Sequence, residues 1–240
     1  MATIVALESP WRKWSNPKEH ALFSMRPFLE GACEFNGARL VYRSFTTEKE
    51  LESLIKREAF DASNDPTLLY VSCHAMGKRL TPGSSPKAPG INISTLAKLV
   101  KGSGGRKNGL DGVWISACEA GSGLRCFVEE KNAVAFAAGY TCEIDWDAAA
   151  RIDLAFINEW LDRRGMCKNF KHTRRLLQDA LEAFSPAWIV GERRMNKKRT
   201  TVQLNEAFVA FGHEITPNGR SEDLTDEIRK SLGWTLSPGS

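Results

Sequence analysis

Two short apolar runs, each ending on a chemically capable residue, constrain the fold of this chain more than any other feature. Thr67-Leu68-Leu69-Tyr70-Val71-Ser72-Cys73 is followed at once by His74, and Gly112-Val113-Trp114-Ile115-Ser116-Ala117 is followed by Cys118. Both runs are rich in β-branched and aromatic residues and bounded by turn formers, so they are predicted as buried strands. Residues 81–90 between them are rich in Pro and Gly, and residues 94–101 predict a helix. A strand, a crossover helix and a second strand form a parallel, right-handed unit. Neighbouring parallel strands end on the same sheet edge, where open α/β sheets form their ligand crevices. His74 and Cys118, 44 residues apart (118 less 74), are therefore expected side by side in a cleft. An imidazole base beside a thiol points to a cysteine nucleophile.

The remaining sequence extends the alternation. A strand is predicted over residues 4–7, a helix within 18–31 and a strand over 38–45. Thr46 and Thr47 with Glu50 form a capping-box pattern before a helix striped by Leu51, Leu54 and Ile55. Residues 121–130 predict a helix directly behind Cys118, and 133–138 a third central strand. Ala148, Ile152, Ala155, Phe156 and Trp160 lie at helical spacing up to Gly165, and Leu176, Leu177, Ala180, Leu181 and Phe184 stripe a helix over 171–184. Residues 187–190 and 201–211 are strand-like, and 224–232 form a helix before a Pro-Gly-Ser tail. This order predicts a three-layer α/β sandwich with a mainly parallel central sheet flanked by helices. At 240 residues it is expected to be one domain over 1–240, with a core of about 35–195 and a C-terminal extension of about 196–240.

The net charge of +4 gives no argument for nucleic acid. Basic clusters at 168–175 and 193–199 read as solvated faces, with an acidic partner as the alternative. Residues 1–10 lack the charged leader and apolar core of a secretory signal, and no stretch reaches the roughly 18 apolar residues of a membrane span. The six cysteines include no C-x-x-C pair, which argues against zinc or redox motifs and for a reducing, cytoplasmic, membrane-free setting. Strand alternation turns Cys73 to the face opposite His74, into the core, and Cys126 is expected to pack on the helix behind Cys118.

Val71-Ser72-Cys73-His74 and Ile115-Ser116-Ala117-Cys118-Glu119-Ala120-Gly121 resemble the histidine and cysteine motifs of caspase-like cysteine peptidases (clan CD): caspases, metacaspases and, closest, bacterial CHAT-domain proteases. The histidine of that group precedes its cysteine by about 50 residues, similar to the spacing here. Ala138-Gly139-Tyr140 through Ile144-Asp145-Trp146-Asp147 is similar to the segment after the cysteine in CHAT domains, and Phe184-Ser185-Pro186-Ala187-Trp188 to a stretch near their end. The resemblance covers about residues 35–195. It departs from the family at Ala75, where glycine usually follows the histidine, and at Ser116, where metacaspases carry an acidic residue.

In this reading Cys118 attacks a peptide carbonyl and His74 moves the proton. Cys118 is expected to have a lowered pKa, through His74 and the N-terminal dipole of the helix behind it. Backbone N–H groups of Cys118 and of the turn from Ala75 to Gly77 are the expected oxyanion donors. No metal or organic cofactor is needed. The resemblance implies that Ser116, Glu143, Asp145, Trp146 and Asp147 contact substrate, and an acidic lining favours Lys or Arg. Helix capping is the other reading of Asp145 and Asp147, and plain core that of Trp146. The resemblance further implies an endopeptidase that cuts a protein partner, such as a pore-forming or effector protein, in bacterial defence or programmed death. A separate sensor or activator is expected, with ordering of loops 81–90 and 101–110. Two rivals stand beside it: a catalytically inactive binding module that captures a peptide, and a protein that binds nucleic acid or an acidic partner through its basic C-terminal surface.

Overall fold

Strand alternation sorts the apolar residues of the central sheet onto two faces, and helices cover each face. The computed structural model describes residues 1–9, 23–58, 65–83, 89–103, 110–129, 134–163, 167, 169–195, 198–214 and 220–234. In chain order its elements begin with β1 (Thr3–Glu8), α1 (Arg26–Phe35), β2 (Arg39–Ser44), α2 (Glu48–Glu58) and β3 (Thr67–Ser72). A small antiparallel sheet follows, of β4 (His74–Met76), β5 (Arg79–Thr81) and β6 (Ile91–Asn92), then α3 (Ile93–Gly102) and β7 (Leu110–Ser116). After α4 (Arg125–Val128) come β8 (Phe136–Tyr140), β9 (Glu143–Ile144), α5 (Trp146–Asp162) and α6 (Phe170–Leu181). The chain continues through β10 (Ile189–Met195), β11 (Lys198–Gln203), α7 (Leu204–Ala207), β12 (Phe208–His213), β13 (Ser221–Asp223) and α8 (Thr225–Ser231).

The central sheet has the order β2-β1-β3-β7-β8-β12-β13. Strands β2, β1, β3, β7 and β8 are parallel; β12 pairs antiparallel with β8, and β13 antiparallel with β12. One face (Ile4, Leu68, Tyr70, Trp114, Phe136, Tyr140) packs on α1, α5, α6 and α8. The other (Val5, Leu69, Val71, Val113, Ile115, Ala137) packs on α2, α3 and α4. This is the three-layer sandwich with a mainly parallel sheet. The central strands are apolar on both faces because both are covered.

Local signals explain several elements. Thr47 Oγ1 accepts from the Glu50 N–H at 3.2 Å, while Glu50 accepts from the Thr46 and Thr47 N–H groups at 2.7 and 3.2 Å, a reciprocal capping box starting α2. α1 begins at Arg26 because Pro27 fits the first helical turn, so the helix lies later than the predicted 18–31; residues 18–22 of that prediction lie outside the described residues. The predicted helix over 121–130 is instead a 3-10 turn (Ala120–Gly123) followed by the four-residue α4. A Cβ at Gly121 would lie 2.6 Å from Val209 Cγ2 and 2.8 Å from Thr141 Cγ2, so this segment is pressed flat onto β8 and β12. The predicted strand over 201–211 is broken by α7. The sheet also draws β1 and β12 from outside residues 35–195, so its core is not confined to that span. β1 lies between β2 and β3, with all six of its residues buried.

One polar cluster is built into the apolar face. Asp153 on α5, with no exposed surface, accepts from Tyr70 Oη at 2.8 Å, Trp114 Nε1 at 2.6 Å and Tyr140 Oη at 2.5 Å. The Ser116 hydroxyl also hydrogen-bonds to it. Burial pushes the Asp153 carboxyl up to about 6, against the opposing pull of these donors. Its folded pKa is above the unfolded value, so the proton favours the folded state. That contribution is complete below about pH 4 and is lost as pH rises through 6. Asp153→Ala leaves buried donors on three strands without an acceptor and is expected to cost about 3 kcal/mol or more at pH 7, against about 1 for Tyr70→Phe. Urea unfolding followed by tryptophan fluorescence measures both; an Asp153→Ala cost below about 1 kcal/mol would remove the cluster's structural role.

Candidate active site

The register of β3 and β7 brings the two motifs together. Leu68 pairs with Gly112 and Ser72 with Ser116, so the pairing offset equals the separation of His74 from Cys118. Cys73 N–H continues the ladder to Ser116 O at 3.3 Å. The two residues leave the same edge, on strands roughly 5 Å apart, with the same alternation phase. Both line one cleft of about 560 Å³, with Phe23, Ala75, Met76, Thr81, Glu119, Glu143, Ile144, Asp145, Trp146, Glu192 and Arg199. Cys73, in the opposite phase, is fully buried and its thiol is pushed far up by burial.

The histidine sits on a hairpin. β4 and β5 pair His74 with Thr81, Ala75 with Leu80 and Met76 with Arg79, closed by Gly77-Lys78 with Gly77 at φ +57°. Glycine takes this left-handed turn without a Cβ penalty. A two-residue turn makes Met76 and Arg79 the first hydrogen-bonded pair, so by alternation the Ala75 N–H faces the outer edge of β4. The Gly77 N–H, expected to face an oxyanion, instead donates to Glu119 Oε2 at 3.1 Å.

The cysteine sits on a strained turn. Glu119 is the one non-glycine residue with positive φ among the described residues, at +54°, a conformation that costs about 1 kcal/mol. Its N–H donates to Cys142 O at 2.9 Å. The Cys118 thiol does not have the lowered pKa expected of it. Burial raises it, the Glu143 and Glu119 carboxylates add to the rise, and backbone contacts at Ile144 and Cys118 oppose it, leaving it at about 11. The expected helix dipole is absent because the segment behind the sulfur is a 3-10 turn and a single turn of helix.

The substrate-side residues divide. Glu143 on β9 and Asp145 at the start of α5 are exposed in the cleft; Asp145 occupies the N-cap position but its side chain makes no capping hydrogen bond. Burial and neighbouring Asp147 and Glu192 raise its carboxyl. Trp146 lines the cleft, edge-on to Phe23 with ring centroids 5.5 Å apart. Ser116 is corrected: it is buried and turned to Asp153, because it shares the phase of Trp114. Asp147 lies in the exposed first turn of α5, outside the cleft lining. Glu192 and Arg199, paired at 3.0 Å across the β10–β11 hairpin, were not identified from sequence as cleft residues. Arg199 falls within the basic cluster at 193–199, which reads as a solvated face, and Glu192 stands just before it. Arg199 of that cluster is offset by its pairing with Glu192, while Arg193 donates to the Thr141 hydroxyl at 3.2 Å. At 168–175, Arg174 pairs with Glu227 and Arg175 with Asp179.

Among the described residues no helix is long and apolar enough to cross a membrane, and no group of three or more His, Cys, Asp or Glu is arranged to hold a metal ion. Residues 84–88 and 104–109, within the segments expected to order on activation, lie outside the described residues. No family model and no curated protein matches the chain. Among solved structures it is similar to a secreted C11 cysteine protease from Bacteroides thetaiotaomicron, at 15% identity and a TM-score of 0.45, over 64% of this chain and 56% of that one. It is also similar to caspase-1 from Spodoptera frugiperda, at 12% identity and a TM-score of 0.49, over 76% of this chain and 77% of that one. The chain thus spans little more than half the length of the C11 protease.

A thiol at about 11 sets the pH behaviour of the site. Alkylation of Cys118 by iodoacetamide is expected to rise about tenfold per pH unit from pH 7 to 10, since only the thiolate reacts. Glu143→Gln removes a negative neighbour and is expected to speed the reaction at pH 8. Peptide mass spectrometry in a Cys126→Ser background measures both; a rate already flat below pH 8 would indicate an imidazolium–thiolate pair instead.

Proposed function

We propose that the chain is a caspase-like cysteine endopeptidase in which Cys118 is the nucleophile and His74 the general base and acid. The observation that carries this reading is that both residues line one cleft at the shared edge of β3 and β7. A thiol near 11 is neutral at pH 7, and ionising it there costs of order 5 kcal/mol. Proton transfer to His74 therefore accompanies attack rather than preceding it. The sulfur bonds to the scissile carbonyl carbon, and the oxyanion accepts from the Cys118 and Ala75 N–H groups. His74 then protonates the leaving amine as the C–N bond breaks, giving an acyl-enzyme. Water, deprotonated by His74, releases the new carboxylate and restores the thiol.

The cleft selects for positive charge. Glu119, Glu143, Asp145 and Glu192 line it against Arg199 and His74, so a Lys or Arg side chain of the substrate gains charge-assisted contacts. A cation seated there also offsets Glu143 and Glu119, which add to burial in keeping the thiol neutral. In this proposal the whole chain is one peptidase domain of CHAT type. A protein substrate such as a pore-forming or effector protein, a separate sensor, a cytoplasmic setting and a role in bacterial defence or programmed death rest on the motif resemblance alone. One observation favours a second reading, a peptide-binding cleft without turnover: the neutral, half-buried thiol.

A peptide library profiled by mass spectrometry tests the proposal. Wild type is expected to cut after Lys or Arg, Cys118→Ala to cut nothing, and His74→Ala to lose at least about 100-fold in kcat/KM. Combining Glu143→Gln with Asp145→Asn is expected to lower kcat/KM on basic substrates at least about tenfold. Equal cleavage by wild type and Cys118→Ala would end the peptidase reading.

A further inference from the structure

One residue beside the nucleophile joins three separate segments of the site. The Glu119 carboxylate accepts the Gly77 N–H at 3.1 Å, across to the hairpin that carries His74. Its own N–H donates to Cys142 O at 2.9 Å, on the segment that leads into Glu143 and Ile144. It does so from a left-handed backbone conformation, φ +54°, that glycine adopts with less strain. Strain retained directly after a nucleophile, in a residue whose side chain then reaches the opposite loop, is the pattern of a functional constraint.

The hairpin needs such a tie. β4 is an edge strand of a three-stranded sheet separate from the central one, and its last residue, Met76, is exposed. Beyond the Cys73 N–H to Ser116 O bond, Glu119–Gly77 is a direct polar link between the histidine hairpin and the cysteine turn. We infer that Glu119 is a positioning residue that locks the His74 hairpin against the Cys118 turn through the Gly77 amide. This rests on the peptidase reading above. The bond requires an acceptor at that position, and an amide oxygen can also accept a backbone N–H, though less strongly than a carboxylate.

Three variants separate positioning from charge and from simple stability. Glu119→Gln and Glu119→Ala lose the same charge, but only Glu119→Gln keeps an acceptor, so its kcat on a Lys/Arg peptide is expected to exceed that of Glu119→Ala at least about tenfold. Glu119→Ala removes the acceptor as well as the charge, and its KM is expected to stay within about threefold of that of Glu119→Gln. Glu119→Gly also relieves the left-handed strain, so it is expected to be as stable as wild type or more so in thermal unfolding, yet as slow as Glu119→Ala. A merely structural residue would not let stability and kcat move apart in this way. Amide hydrogen exchange at Gly77 is expected to accelerate in Glu119→Ala and Glu119→Gly but not in Glu119→Gln. The inference is overturned if Glu119→Gly keeps wild-type kcat, if Glu119→Gln is as slow as Glu119→Ala, or if Gly77 exchange is unchanged in all three. If wild type itself shows no Cys118-dependent cleavage, the peptidase reading falls and the positioning role with it. In that case Gly77 exchange still reports whether the bond forms.

Discussion

Asp153, buried on α5, accepts hydrogen bonds from Tyr70, Trp114 and Tyr140, one residue from each of three adjacent strands. Those strands, β3, β7 and β8, are the ones whose ends carry His74, Cys118 and the 141–145 segment. A carboxylate in an apolar layer is tolerated only where donors surround it. Here the donors are the polar tips of large aromatic residues that otherwise fill the core. The cluster therefore fixes the height of α5 against the sheet, and with it the position of Asp145 and Trp146 at the start of that helix. Ser116 belongs to this foundation rather than to the cleft above it.

Above that base, the site is assembled from backbone register and two left-handed residues. Parallel pairing with a constant offset delivers the imidazole and the sulfur to one edge. Gly77 turns the histidine hairpin back on itself, and Glu119 turns the chain after Cys118 while reaching that hairpin. The electrostatics run against a pre-formed thiolate. Burial, with two carboxylates beside it, keeps the proton on the sulfur; in the proposed reaction His74 and a positive group entering the cleft offset this. In that proposal the same carboxylates connect substrate preference with activation of the thiol.

Much of the architecture was legible because it rests on local, periodic signals. The runs ending at His74 and Cys118, the capping box at Thr47 and Glu50, and the stripe from Ala148 to Trp160 each correspond to an element found in the structure. The errors fall where long-range contact overrides local pattern. The segment after Cys118 has a helical composition but is flattened because Gly121 lies against Val209 and Thr141, 88 and 20 residues further on (209 and 141 less 121). Residues 201–211 read as a single strand, yet the chain breaks at Leu204, whose N–H is taken by Trp188 O. Asp153 was invisible as a structural hub because its partners lie on three strands distant in sequence. Glu192 and Arg199 were hidden for the same reason, since a hairpin outside the central sheet folds them over the cleft.

The sequence by itself determined the alternation of strands and helices, the parallel pairing of the two motif-bearing strands, and hence the place of His74 and Cys118 along one cleft. Hydrophobic periodicity and chain connectivity suffice for that, because both act over a few residues or one crossover. Tertiary structure alone decided the protonation of the thiol, the occupancy of the Gly77 amide and which acidic residues face the cleft. Those depend on desolvation and on distances between side chains remote in the chain, which no local pattern encodes.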